Sequence, residues 1–309
     1  GSVVSWGNEN DGGDSSLVDF NGSSDNVYVT QIYSTDNAFA ALRSDGSVVS
    51  WGNENDGGDS SSVDFAGSSG NLYVTQIYST DNAFAALRSD GSVVSWGDEN
   101  YGGDSSLVNF NDPGENLSVS RVFSTAGSFA ALRNDGSVVT WGSPISGGDS
   151  TNVDFDGPAN NLSITQIFST RWAFAALRTD GSVVTWGDAS SGGNSESLDF
   201  DGPANNLSVS QIFSTNNAFA ALRSDGSVVS WGYGPYGGDS SSVDFDGPGN
   251  NLSISNIFST YNAFAALRSD GSVITWGNPD NGGGSGLVDF NGPADNLQVV
   301  GLADPFTDE

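Results

Sequence analysis

The sequence predicts an all-β protein: a β-propeller of 45-residue, four-stranded blades. Three observations carry this. The string G-S-V-[VI]-[ST]-W-G begins at Gly1, Gly46, Gly91, Gly136, Gly181, Gly226 and Gly271, each 45 residues after the last and without insertion, so each copy fills an equivalent structural slot. Each unit holds four short runs rich in β-branched and aromatic residues, separated by Gly, Asp and Asn. Two of those runs are apolar on both faces, which requires a sheet against each side. Residues 1–309 read as one domain whose last repeat is incomplete and leaves the pattern after Leu297.

The unit between residues 72 and 110 shows each element in order. Residues 72–79 (LYVTQIYS) read as the first strand and Asp81-Asn82 as a polar break. Residues 83–88 (AFAALR) read as the second strand, with Phe84 and Ala86 on one face and Ala85 and Leu87 on the other. Asp90-Gly91 is a tight hairpin turn, because glycine supplies the positive φ that such turns demand. Residues 92–96 (SVVSW) form the third strand, residues 97–104 a loop, and residues 105–110 (SSLVNF) an outer fourth strand. Small alanines suit strands that neighbouring blades approach closely, and a four-stranded unit of this length matches a propeller blade. Residues 2–20 supply a spare third and fourth strand, and residues 297–303 a spare first strand. The count this favours is seven blades, with the two ends pairing to close the ring. Six closed blades are the alternative, and an open β-solenoid is the alternative fold.

Charge narrows the function. The formal net charge is -30, which excludes nucleic acid and anionic membrane surfaces as partners, because both need Lys and Arg to displace counterions. An acidic coat also keeps a protein soluble. All eight basic residues are arginines: Arg43, Arg88, Arg121, Arg133, Arg171, Arg178, Arg223 and Arg268. Without Cys or His there is no thiolate nucleophile and no Cys- or His-ligated metal. Acid–base work is left to carboxylates, Tyr and hydroxyls, and nearly every acid stands at a repeated position. We therefore expect no enzyme. No run of about 18 apolar residues is present, so no membrane insertion is expected. The Asp-rich, Lys-free, Cys-free composition suggests an extracellular or cell-surface protein of a bacterium. The chain has no signal peptide and does not begin with Met, which reads as a mature fragment or an excerpt.

The repeats differ most in two loops that a four-stranded blade places on one face. Between strands one and two they read Asp36-Asn37, Asp81-Asn82, Ala126-Gly127, Arg171-Trp172, Asn216-Asn217 and Tyr261-Asn262. Between strands three and four, Asp98-Glu99-Asn100-Tyr101 and Tyr233-Gly234-Pro235-Tyr236 are two of the variants. Arg171, Trp172, Tyr233, Tyr236, Tyr261 and Tyr101 are the candidate ligand-binding residues, since exposed aromatics on a rigid scaffold suit sugar rings or a protein partner. Drift of unconstrained loops after duplication explains the variation equally well; the aromatic clustering is what favours binding. Asp154 and Asp156, Asp199 and Asp201, and Asp244 and Asp246 place two carboxylates at alternate positions before a glycine, a pattern open to calcium or to simple turn capping. The hairpin arginines, such as Arg88, recur once per unit and are expected to pair with a nearby Asp. The seven repeated tryptophans from Trp6 to Trp276 are expected in the core.

The motif F-A-A-L-R-[STN]-D-G-S-V-[VI]-[ST]-W-G, complete from Phe39, Phe84, Phe129, Phe174, Phe219 and Phe264, resembles the repeat of the regulator of chromosome condensation (RCC1) family. It is most similar to the short bacterial version in surface or secreted proteins. The resemblance implies a propeller of about seven blades. The eukaryotic namesake is an exchange factor for a small GTPase and binds chromatin. Here Ala83 stands where the family often has His, Gly102 to Ser105 read GGDS where it often has GQLG, and no insertion is large enough for a catalytic wedge. Exchange activity and histone binding are not carried over. The function expected is a non-enzymatic scaffold that binds a glycan or protein through one variable loop face. The alternative is a structural repeat array, such as a matrix, spacer or self-associating filament subunit, with no specific ligand.

Overall fold

The computed structural model describes residues 3–284 apart from 23–25, 68–69, 111–116, 158–160, 203–205, 248 and 250. The chain divides into two compact units, residues 1–152 and 153–309. The first contains three antiparallel sheets. They are β1 (Val29–Ser34), β2 (Ala38–Arg43) and β3 (Val48–Gly52); β4 (Val74–Ser79), β5 (Ala83–Arg88) and β6 (Val93–Gly97); and β7 (Val119–Ser124), β8 (Ser128–Arg133) and β9 (Val138–Gly142). The second unit repeats the plan. It has β10 (Ile164–Ser169), β11 (Ala173–Arg178) and β12 (Val183–Gly187); β13 (Val209–Ser214), β14 (Ala218–Arg223) and β15 (Val228–Gly232); and β16 (Ile254–Ser259), β17 (Ala263–Arg268) and β18 (Val273–Gly277). The three strand assignments per unit agree with the sequence to within two residues.

Within each unit the sheets pack face to face, as the two-sided apolar strands require. Ala38, Ala40 and Leu42 of one sheet meet Ile77, Phe84, Ala86 and Trp96 of the next. Ala218, Ala220 and Leu222 meet Ile257, Phe264, Ala266 and Trp276 in the same way. Backbone bonds fasten both ends of each neighbouring pair. At one end Val74 N–H donates to the hairpin carbonyl of Gly46 at 2.9 Å, and at the other Asp36 N–H donates to Asp81 at 2.8 Å. Between them lies the indole. Trp96 Nε1 donates to the carbonyl of Gly57, in the loop after the preceding sheet, at 3.0 Å. Phe84 stacks on that indole at 5.1 Å and Phe65 meets it edge-on at 5.2 Å. Gly57 has φ +96°, and a Cβ there would lie 2.6 Å from the Phe84 ring. This glycine is therefore fixed twice, by conformation and by contact.

Four expectations are corrected. The fourth strand does not form among the described residues. In residues 104–110 the Ser106 N–H donates to Asp104 Oδ1 and the Val108 N–H to the Ser105 carbonyl, closing a turn where a strand was expected. Leu107 is left 97% exposed, while Val108 and Phe110 still reach the core. The blades accordingly have three strands. Second, the seven-blade count gives way to six sheets among the described residues. Residues 3–7 form no strand, and the expected C-terminal strand at 297–303, with the end pairing built on it, lies outside the described residues. Third, Trp6 is 85% exposed whereas Trp51, Trp96 and Trp141 are buried. Each buried indole stacks on a Phe twelve residues before it, and the sequence holds no such partner for Trp6. Fourth, the hairpin arginines bond to backbone carbonyls. Arg88 reaches the Asp64 carbonyl at 2.6 Å and the Ser92 hydroxyl at 3.2 Å, and Arg133 reaches the carbonyls of Phe110 and Asn109. They tie the loop before each sheet to that sheet's hairpin.

The hairpin Asp stabilises its own turn. Asp90 Oδ1 accepts from Ser92 Oγ at 2.6 Å and from Ser92 N at 2.9 Å, and Asp45, Asp135, Asp225 and Asp270 repeat the arrangement. Partial burial alone would raise the Asp90 carboxyl, but the Ser92 bonds and the nearby Arg88 outweigh it and hold it below the usual carboxylate range. Asp45, Asp135 and Asp225 are lowered in the same way. A carboxylate with a depressed folded value contributes stability that is present above its unfolded value, about pH 4, and is lost as pH falls through the folded value. The melting temperature should hold steady above about pH 5 and fall below about pH 4. Replacing Ser47, Ser92 and Ser137 with Ala should make that acid limb shallower. In urea titration, Gly57→Ala should cost about 2–5 kcal/mol, combining left-handed strain with overlap on Phe84. Gly22→Ala, at φ +62° with no atom nearer than 3.9 Å, should cost about 1 kcal/mol.

Candidate binding face

A recurring threonine joins the two variable loops. Thr215 Oγ1 donates to the carbonyl of Tyr236 at 3.0 Å and accepts from Ala218 N at 3.1 Å, so the turn after β13 is bonded to the turn after β15. Thr80 does the same with Tyr101, and Thr170 with Ser191. The second loop is a single turn of 3-10 helix in each repeat, such as Gly234–Tyr236, closed by a left-handed glycine. Strand-pattern reasoning does not anticipate this turn, but the expected sharing of one face by the two loops holds.

Part of the variation on this face is packing. In the first unit, Asp56 is 7% exposed, and its two carboxylate oxygens accept from Asn37 at 3.0 Å and Asn82 at 2.8 Å, linking consecutive repeats. Tyr101, a candidate ligand residue, is half-buried against the core of its unit. Beside it stands Gly127, whose absent Cβ would lie 3.4 Å from the Tyr101 ring and 2.9 Å from Ser146 Oγ. A large side chain in one repeat is matched by the smallest in the next. Tyr101 thus packs within the first unit, and the other five candidates belong to the second.

Those five lie in the second unit, around Asn216-Asn217. Arg171 N–H donates to the Asn216 carbonyl at 2.8 Å, Asn216 N–H to Tyr261 at 2.9 Å, and Tyr233 N–H to Asn217 at 2.9 Å. Residues 45 and 90 apart in sequence are thereby one hydrogen bond from a common pair. The Arg171 guanidinium sits over the Trp172 ring, 5.3 Å from its centroid, at cation–π distance. Tyr233 and Tyr236 meet edge to face at 4.9 Å. Tyr261 is 54% exposed and Tyr233 46%. A cavity of about 440 Å³ opens between the ends of β10, β13 and β16, with Arg171, Asn216 and Tyr261 on its wall. The sequence does not single out Asn216 and Asn217. Their role shows only once the bonds between neighbouring repeats are known.

The paired aspartates act in turns. Asp154 Oδ1 accepts from Gly157 N at 2.7 Å and Asp244 Oδ1 from Gly247 N at 2.9 Å. Among the described residues no three acidic side chains come together in a group that could hold a metal ion. Nor is any helix among them long and apolar enough to cross a membrane. Turn capping alone predicts that a chelator leaves the melting temperature unchanged and that Asp154→Asn, which keeps the acceptor oxygen, is tolerated better than Asp154→Ala. A chelator-induced fall in melting temperature would instead assign the pairs to calcium.

Comparison with known proteins places the repeat. Residues 74–102, from β4 to the start of Gly102, match the family model for the regulator of chromosome condensation (RCC1) repeat, and the equivalent residues recur through both units. The repeat is RCC1-like. No curated protein matches the chain. Among solved structures, human WBSCR16 overlaps 80% of this chain and 77% of its own at 18% identity, with a TM-score of 0.47. Yeast RCC1 (Prp20), solved bound to Kap60, overlaps 81% of this chain and 70% of its own at 17% identity, also at 0.47. The ectodomain of the Arabidopsis thaliana receptor kinase ACR4 overlaps 78% and 80% at 16% identity, at 0.41. At these scores the likenesses carry no argument about what this chain binds.

Proposed function

We propose that the chain is a non-catalytic interaction scaffold of RCC1-like repeats, working outside the cell or at its surface, with its binding face in the second unit. The repeats supply rigidity and the turns after β10, β13, β15 and β16 supply recognition. One observation carries this reading. Arg171, Tyr233 and Tyr261, three residues that depart from the repeat consensus, are bonded to the same Asn216-Asn217 pair, and Tyr233 and Tyr261 keep exposed side chains. Buried variation such as Asp56 or Ser146 follows from packing. Exposed aromatics held at a fixed spacing do not, and large amphipathic side chains on a stiff backbone give contact area at low entropic cost.

The absence of catalysis is supported by the residue inventory. With no His, Cys or Lys in the sequence, and with the shifted carboxylates bonded within hairpin turns or, as Asp104 is to Ser106, within the loops after the third strands, no acid–base pair stands out at the face. The acidic, Lys-free composition supports the exported setting, and the -30 charge disfavours nucleic acid as a partner.

The test is saturable binding of the purified chain to a glycan array and to a panel of immobilised cell-surface proteins. The triple variant Trp172→Ala, Tyr233→Ala, Tyr261→Ala should lose at least tenfold in affinity for whatever binds. Its melting temperature should stay within a few degrees of the parent, because these side chains lie outside the interlocked core. Substitution of Tyr28 and Tyr73, exposed beside the hairpin turns instead, should leave binding unchanged. Equal binding by the triple variant would discard the face.

A further inference from the structure

We propose that the cavity between the ends of β10, β13 and β16 is a site for an uncharged saccharide, with Tyr261 supporting the sugar ring and Ser169, Ser214 and Ser259 meeting its hydroxyls. This site belongs to the binding face proposed above, rests on that reading, and gives it a ligand class.

Open, uncharged hydrogen-bonding groups gather in this cavity. Ser169, Ser214 and Ser259 stand 45 residues apart, one at the end of each first strand, and all three line it. Each is half-buried, and its hydroxyl makes no hydrogen bond among the described residues. The threonines that follow are taken: Thr170, Thr215 and Thr260 bond the carbonyls of Ser191, Tyr236 and Asn281. Asn216 adds an acceptor, because its amide N–H donates to Asn217 Oδ1 at 2.7 Å and its own Oδ1 is left to accept. Arg171 is already engaged, its guanidinium lying over Trp172, and no ligand contact is assigned to it. A hydroxyl both donates and accepts, so this set pairs with ligand hydroxyls of either orientation. Among the described residues no acidic side chain lines the cavity, so a divalent cation would lack its carboxylate oxygens. Burying any charged ligand against uncharged groups alone is costly.

Shape and lining favour a sugar over other uncharged ligands. About 440 Å³ is the size of a small-molecule site, not of a protein interface. The wall sets rings beside hydroxyls, with Phe168 and Phe213 next to Ser169 and Ser214. That arrangement matches a sugar ring, which offers C–H faces between its hydroxyls. The serine row by itself belongs to the repeat, since Ser34, Ser79 and Ser124 hold the same place in the first unit. Two residues further on, however, the first unit has Asp36, Asp81 and Ala126, whereas the second sets its row beside Tyr261, which lines the cavity and is 54% exposed. Asn216 N–H donates to the Tyr261 carbonyl at 2.9 Å, so the backbone that carries the ring is fixed relative to the middle serine.

The test is isothermal titration of the full chain with lactose, maltotriose, xylotriose and chitotriose as neutral probes, with sorbitol as a polyol that has hydroxyls but no ring, and with an uncharged Gly-Ser peptide. At least one of the four saccharides should bind at least tenfold more tightly than sorbitol and than the peptide. Ser214→Ala should weaken that saccharide by about threefold or more, the worth of one neutral hydrogen bond. The same change at Ser79, its equivalent in the first unit, should leave the affinity unaltered. Tyr261→Ala, at an exposed position that does not threaten folding, should weaken the saccharide at least tenfold and serves if the Ser214 variant fails to fold; Tyr261→Phe, which keeps the ring, should retain most of the affinity. No saccharide bound, equal binding of sorbitol or peptide, equal loss from Ser79→Ala, or no effect of Ser214→Ala or of Tyr261→Ala would each overturn the proposal. If no neutral saccharide binds but the Trp172, Tyr233 and Tyr261 triple variant still loses its array partner, only the ligand class fails. If that variant binds as the parent does, the face fails as well.

Discussion

The indole-to-glycine contact between consecutive sheets is the interaction on which the rest of the structure depends. Trp51, Trp96, Trp141, Trp231 and Trp276 each donate to a glycine carbonyl 39 residues earlier at 3.0 to 3.1 Å. Each indole is stacked by a Phe of its own sheet and met edge-on by a Phe of the preceding loop. A single three-stranded repeat cannot bury its apolar faces by itself. Its apolar faces gain a partner only through the next copy. The strict 45-residue spacing follows, since an insertion would displace a donor from its acceptor.

This scaffold determines what the variable loops can do. Because Thr215 joins the two turns of one repeat, and backbone bonds join each turn to the next repeat, a side chain placed there is held rigidly. Some positions have been absorbed into packing, as with the Asp56 carboxylate between Asn37 and Asn82, or Tyr101 over Gly127. Others, Tyr233 and Tyr261 above all, keep exposed aromatic surface. The two units have the same backbone plan and different local chemistry, Asp36, Asp81 and Ala126 in one and Arg171, Asn216 and Tyr261 in the other. Duplication of a stable repeat leaves loop chemistry free to diverge without disturbing the core.

Much of the fold was legible because the repeat supplies the same information six times. The Ala-Phe-Ala-Ala-Leu-Arg strand, the Asp-Gly turn and the following Val-Val-Ser-Trp strand were each bounded correctly by alternation and turn chemistry. The outer segment misled because Leu107, Val108 and Phe110 have strand-like composition, whereas Asp104 and Ser105 close a turn by local hydrogen bonds that composition does not display. Trp6 misled because periodicity assigns a position without showing whether its packing partners are there. At the face, the sequence pointed to the aromatic clustering. It could not separate the half-buried Tyr101 from the exposed Tyr233 and Tyr261, since the packing of Tyr101 beside Gly127 runs between repeats. The Asn216-Asn217 pair was invisible for the same reason: its bonds run between repeats.

The most direct test of the central contact is hydrogen exchange at the indole nitrogens, read from one ¹⁵N-resolved spectrum of the intact chain. The account predicts strong protection of the Nε1–H of Trp51, Trp96, Trp141, Trp231 and Trp276, and free exchange at the exposed Trp6. Rapid exchange at all six, or protection at Trp6 equal to the others, would contradict it.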